Sequence, residues 1–179
     1  MIRPMLMCAA LFAASTVAAL AVPFTVSSPT FAENTRLPLA AADAKCGGGT
    51  STSPALAWAN APAETKSFAV LVYDPDAFSV PGVSHWVAYG IPASTSLLPA
   101  GLGSGPSPLY VAGANIAGDP VFRGLCPPPG TAPHHYIFTV YATDLAPTAL
   151  APGLDRNALL TALHGHAIAA ASTVGTYSR

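Results

Sequence analysis

The chain has 179 residues, of which Lys and Arg supply 7 and Asp and Glu 8, leaving a formal net charge of -1 and 51% hydrophobic residues. This balance excludes a disordered polyelectrolyte and lacks the basic surface that nucleic-acid binding needs. Pro (19) and Gly (15) make up about a fifth of the chain without a collagen period, so many turns and short elements are expected rather than a long helical bundle.

In chain order, the first segment is a leader. Arg3 precedes an uncharged apolar run from Met5 to Ala21, and Pro23, Ser27, Ser28 and Pro29 end it. This is the n-region and h-region of a secretory signal, with small residues offering cleavage after Ala21 or after Ala32. An uncleaved N-terminal anchor is the alternative. Residues 1–32 are assigned to the leader and a short linker, and 33–179 to one domain. The expected location is secreted, periplasmic or at the cell envelope. Removal of the leader removes Cys8 and leaves Cys46 and Cys126, an even pair that can form a disulfide in an oxidising compartment or remain two separate thiols. Such a bridge closes a loop of about 80 residues, worth roughly 4 kcal/mol in the chain-entropy model.

Residues 33–53 are small and polar and read as loop. Ser67–Tyr73 (SFAVLVY), His85–Ile91 (HWVAYGI) and His135–Ala142 (HYIFTVYA) are apolar, β-branched and aromatic runs that predict three strands. Between the last two, residues 98–130 are rich in Gly and Pro and predict a long irregular loop, packed near Phe122 and Cys126. From Asp155, a fair N-cap, to about Thr173, the apolar spacing predicts a helix, with Gly175 as its stop and with His164 and His166 on it.

Antiparallel pairing of the three strands brings the ends of interest together. The first strand ends in Asp74-Pro75-Asp76, the second begins with His85, and the third begins with His134-His135-Tyr136. Two carboxylates, several imidazoles and a phenol then meet at one rim, with His134 and Tyr136 on one face and His135 on the other. Taken singly, each has a structural reading: Asp-Pro-Asp is also turn chemistry, and Tyr136 also suits a core.

The blocks Ser53-Pro54-Ala55-Leu56-Ala57-Trp58, Tyr73-Asp74-Pro75-Asp76-Ala77, His85-Trp86-Val87, Gly124-Leu125-Cys126-Pro127-Pro128-Pro129-Gly130, His134-His135-Tyr136, Gly165-His166 and Gly175-Thr176-Tyr177 stand in an order that resembles the phosphatidylethanolamine-binding protein family, in its bacterial Raf-kinase-inhibitor-like branch. The resemblance covers about residues 46–179. It implies a mainly β fold, a β-sandwich of antiparallel sheets with a few short helices including one near the C-terminus, and a small anion-accepting pocket at one sheet end. On the family pattern, Asp74, Asp76, His85, Gly124, Pro127, Pro128, His134 and Tyr136 match the pocket motif, and His166 packs or hydrogen-bonds internally.

Four positions depart from that pattern: His135 stands where Arg is usual, which removes a positive charge; Phe78 replaces Pro; Asn115-Ile116-Ala117-Gly118 replaces Asn-Asp-Phe-Gly; and Gly90 replaces Asn. The resulting expectation is a non-catalytic binding or inhibitory module. Its partner is a phosphate- or carboxylate-bearing small molecule or a phospholipid headgroup, with a secreted protease or other protein as a further partner. Backbone N–H groups of the 124–130 turn are expected to join the histidines in holding the anion. No cofactor is expected. A metal site on two His and one Asp is a lesser reading. A hydrolase using the Asp/His set is the alternative, with Ser53 and Ser84 as available hydroxyls but no G-x-S-x-G signature.

Overall fold

The computed structural model describes residues 22–78 and 82–179. The apolar run expected to be the leader core, up to Ala21, lies outside them. Among the described residues no helix is long and apolar enough to cross a membrane.

Among the described residues, nine strands and one α-helix follow each other as β1 (Thr25–Ser27), β2 (Thr35–Arg36), β3 (Leu56–Ala59), β4 (Ser67–Asp74), β5 (Val83–Pro92), β6 (Leu97–Leu98), β7 (Val111–Ala112), β8 (His134–Thr143), α1 (Arg156–Leu163) and β9 (Ala167–Tyr177). They build a three-stranded sheet, β1-β3-β6, and a six-stranded sheet, β2-β9-β8-β4-β5-β7. The three strands expected from the sequence are β5, β4 and β8, and both β5 and β8 pair antiparallel to β4.

The two sheets enclose the main core. Leu56, Trp58 and Leu98 of the small sheet meet Phe68, Val70, Val72, Trp86, Phe138 and Val140 of the large one, and Trp58 and Phe68 place their ring centroids 5.1 Å apart. The outer face of the large sheet is covered by α1, whose Leu159 and Leu163 pack on Ala69, Leu71, Val87 and Tyr89. With both faces covered, β4 is buried along almost its whole length, which is why it reads as a continuous apolar run rather than an alternating one. The 98–130 segment is less irregular than expected. It contains β7, paired with β5, and sends Tyr110 and Phe122 edge-on against Trp86.

The C-terminal segment corrects the sequence reading. Asp155 does cap α1, its side chain accepting from the Ala158 N–H at 2.8 Å. The helix ends at Leu163, however, and residues expected to continue it form β9. Gly165 makes the break: its φ of +80° suits glycine and forces the chain out of the helix. Without β9, β8 would be left with an open ladder on one side. Ten register pairs with β8, from His134–Tyr177 to Thr143–Ala167, override the helical preference of the Ala run. His164 is therefore the residue after the helix and His166 lies in the turn. The His166 ring bonds the Asp144 carboxylate at 2.8 Å on the surface.

The domain begins before residue 33. β1 pairs with β3, Phe24 stacks on Phe68 at 6.2 Å, and buried Phe31 lies 5.2 Å from Phe138. Cleavage after Ala32 removes all three features, whereas cleavage after Ala21 keeps them. A chain starting at Glu33 is expected to melt at least 5 °C below one starting at Val22, since loss of one buried Phe alone costs about 3 kcal/mol; equal melting temperatures would show that the segment adds nothing.

Candidate functional site

β4 runs out of its ladder at Asp74, one step past the Tyr73–Ile137 pair, where β8 is about to begin. Asp74 therefore meets His134 although 60 residues separate them. The His134 Nδ1–H donates to Asp74 Oδ2 at 2.8 Å, and both side chains are buried. The other carboxylate oxygen, Oδ1, accepts from the Asp76 N–H at 2.9 Å, so the Asp-Pro-Asp turn itself orients the acid. Fixing Nδ1 in this way leaves Nε2 as the imidazole's remaining polar atom.

His85 reaches the same place through a bulge. Val72 pairs with Trp86 and Tyr73 with Ser84, so one residue of β5, His85, has no counterpart on β4. Strict alternation would put His85 and Trp86 on opposite faces. The extra residue instead turns His85 toward the side occupied by Asp74, a common use of β-bulges beside sites. Its Nδ1–H donates to the Arg123 carbonyl at 2.8 Å, and its ring stands edge-on to Tyr136 at 5.2 Å. Burial holds the His85 pKa below the ordinary 6.5, an effect that the Arg123 hydrogen bond and the Asp74 charge only partly offset.

These groups surround a cavity of about 310 Å³ lined by Asp74, His85, Gly124, Pro128 and His134 together with Ala77, Phe78, Val83, Ile116, Arg123 and Cys126. Five of the eight residues expected at the pocket thus line it, and the other three support it from outside. Tyr136 is fully buried beneath His85. Burial first and the Asp74 carboxylate second push its pKa far above the usual tyrosine range, so the phenol stays protonated. Asp76 points outward, where its Oδ2 accepts from the backbone N–H of His135 at 2.7 Å and pairs with its ring at 2.8 Å; that backbone bond is the main cause of its lowered pKa. Pro127 is buried, and its carbonyl accepts from Arg179 Nε at 2.9 Å.

Gly124 is required by close approach, because a Cβ there would lie 2.4 Å from Ser51 Oγ and 2.6 Å from the Asp43 nitrogen. The wall it belongs to is anchored by the Cys46–Cys126 disulfide, with Cα atoms 5.1 Å apart. Hydrogen bonds from Asp43 N–H to the Leu125 carbonyl and from Leu125 N–H to the Ala41 carbonyl, both 3.0 Å, reinforce it. The amide cradle expected in this turn is narrowed to Gly124 and Cys126, both of which line the cavity. Leu125 and Gly130 donate to protein carbonyls, and Pro127, Pro128 and Pro129 have no N–H to offer.

One cationic residue at the cavity was absent from the expectation. Arg123 is exposed and lines both this cavity and a neighbouring one with Asp43, Ser51 and Asp119, so a cationic residue borders the site although the usual Arg is His135 here. The Arg123 N–H to His85 carbonyl bond and the His85 ring's bond to the Arg123 carbonyl seat the segment beside β5; no local pattern marks Arg123. The lining includes no serine or threonine among the described residues. Ser53 is buried elsewhere, accepting from the Gly103 N–H at 2.9 Å, and Ser84 faces a separate cavity with Tyr73 and Arg156. The described residues also contain no cluster of three or more His, Cys, Asp or Glu arranged to hold a metal.

The sequence pattern of the family described as phosphatidylethanolamine-binding protein matches residues 27–178. The chain belongs to this family. Its relatives include the Escherichia coli (strain K12) UPF0098 protein YbhB, 39% identical over 73% of this chain and 84% of that one. UPF0098 protein YbcL of the same strain is 46% identical over 54% of this chain, and that match spans only about half of YbcL, 55%. The crystal structure of E. coli YbcL, described as a new member of the mammalian PEBP family, superposes with a TM-score of 0.81 at 34% identity, covering 88% of this chain and 99% of the other. The homolog CT736 from Chlamydia trachomatis gives 0.76 at 30% identity, covering 88% and 98%. The fold expected from the resemblance is the fold observed.

The lowered pKa of His85 has a definite sign. As pH falls through 6.5 the unfolded chain takes up the proton first, so His85 contributes stability above 6.5 that is lost as pH falls toward its folded value. An NMR titration of the free protein should give a His85 imidazole midpoint below 6.5; a midpoint at or above that value would contradict the burial account.

Proposed function

We propose that the chain is a non-catalytic binding protein that holds a phosphate- or carboxylate-bearing small molecule, or a phospholipid headgroup, in the cavity around His134 and His85. One observation carries the reading: the buried Asp74–His134 pair aims an imidazole at a cavity that is also lined by His85 and Arg123. The family's name is consistent with a phosphate-containing partner.

The chemistry follows from which ring atoms are committed. Both Nδ1 atoms are bonded inside the protein, so each ring meets a ligand through Nε2. A neutral ring offers Nε2 as an acceptor and fits the hydroxyl of a protonated phosphate; a protonated ring offers a charged N–H and fits an anionic oxygen. Asp74 balances charge at His134, and Arg123 is positive at every working pH. An export route and an oxidising compartment belong to the same proposal, supported by the apolar leader and the bridged cysteine pair.

An anion that favours protonated His85 must bind more tightly as pH falls. Calorimetric titration with inorganic phosphate is expected to give higher affinity at pH 5.5 than at pH 7.5. Sulfate, whose charge stays fixed over this range, should follow the same trend and so assign it to the protein. Binding of both anions that does not change with pH would remove the histidines from the account. The exposed Arg123 can be changed without disturbing the core, and Arg123→Ala should weaken phosphate binding about tenfold, the usual worth of one charge-assisted contact; unchanged affinity would place the anion elsewhere.

A further inference from the structure

The cavity has two chemistries. Its floor is polar, with Asp74, His85 and His134, while Ala77, Phe78, Val83 and Ile116 supply apolar surface around it. Phe78 is 81% exposed and Ile116 53% exposed. Only six large hydrophobic side chains are strongly exposed among the described residues, and these two belong to the lining of a single small cavity. A lone exposed apolar residue needs no explanation, but two beside a charged pocket form an apolar lip that water covers poorly. They also stand at two of the positions where the sequence departs from the family pattern, so the lip is a property of this chain.

Resting on the anion-binding reading above, we infer that the ligand is not a bare inorganic anion but an ester that joins the anionic group directly to a compact apolar or aromatic substituent. The anion meets His134, His85 and Arg123, and the substituent lies between Phe78 and Ile116. Both side chains are displayed before binding, so the contact costs little rearrangement, and an aromatic substituent gains ring contact with Phe78 as well as burial. The required chemistry is shared by a soluble aryl phosphate and by a lipid phosphate whose chain begins close to the headgroup.

The test compares phenyl phosphate with inorganic phosphate on the intact protein, on the Phe78→Ala/Ile116→Ala double variant and on each single variant. Phenyl phosphate should bind the unchanged protein about tenfold more tightly, as expected for on the order of 60 Å² of apolar surface removed from water. In the double variant the two probes should bind within twofold of each other, with affinity for inorganic phosphate unchanged. Equal affinity in the unchanged protein, or a preference that survives in the double variant, overturns the inference while leaving the anion-binding reading in place. If neither probe binds, both fall together. Cosedimentation with phosphatidic acid vesicles that phenyl phosphate competes away would assign the substituent to a lipid chain; no cosedimentation, with phenyl phosphate still preferred in solution, would assign it to a soluble ester.

Discussion

The Asp74–His134 hydrogen bond is the contact on which the site depends. It joins the end of one central strand to the start of the next and is buried on both sides. An ionised carboxylate held away from water needs donors, and Asp74 has one on each oxygen: the His134 ring and the Asp76 N–H. Remove either donor and a buried charge is left with half its partners, an arrangement that typically costs several kcal/mol. The pair therefore fixes the direction of His134 and the position of the Asp-Pro-Asp turn together, and the cavity forms against both.

The rest of the site is held with similar economy of parts. His85 is bonded at Nδ1 by a carbonyl rather than a carboxylate, so the two imidazoles share a cavity but not an environment. One has a negative partner, whereas the other is desolvated beside a protonated phenol. Arg123 ties the two walls, because its carbonyl receives the His85 ring and its N–H bonds the His85 carbonyl at the edge of the cavity it lines. The disulfide at Cys126 secures the same wall from behind, where little secondary structure is available to do so.

Much of this was legible in the sequence. The runs at 67–73, 85–91 and 135–142 are dense in β-branched and aromatic residues, and period-two alternation correctly separated His134 and Tyr136 from His135. Four features escaped for physical reasons. β9 contains a run of small residues that local preference assigns to helix, and only its partner strand makes it extended. The bulge at His85 changes which face a side chain takes, and no residue pattern announces it. Arg123 sits in irregular backbone, so its place at the site follows from tertiary hydrogen bonds alone. The strands of the small sheet were not located, since runs of two to four residues are too short to show a period.

The most direct test of the central claim is a crystal structure of the protein grown with phosphate. A phosphate oxygen about 2.8 Å from His134 Nε2, with the Asp74–His134 hydrogen bond intact and Arg123 turned toward the anion, is the expected result. Phosphate bound only outside this cavity, or His134 Nε2 bonded to a protein group while phosphate is present, would contradict it.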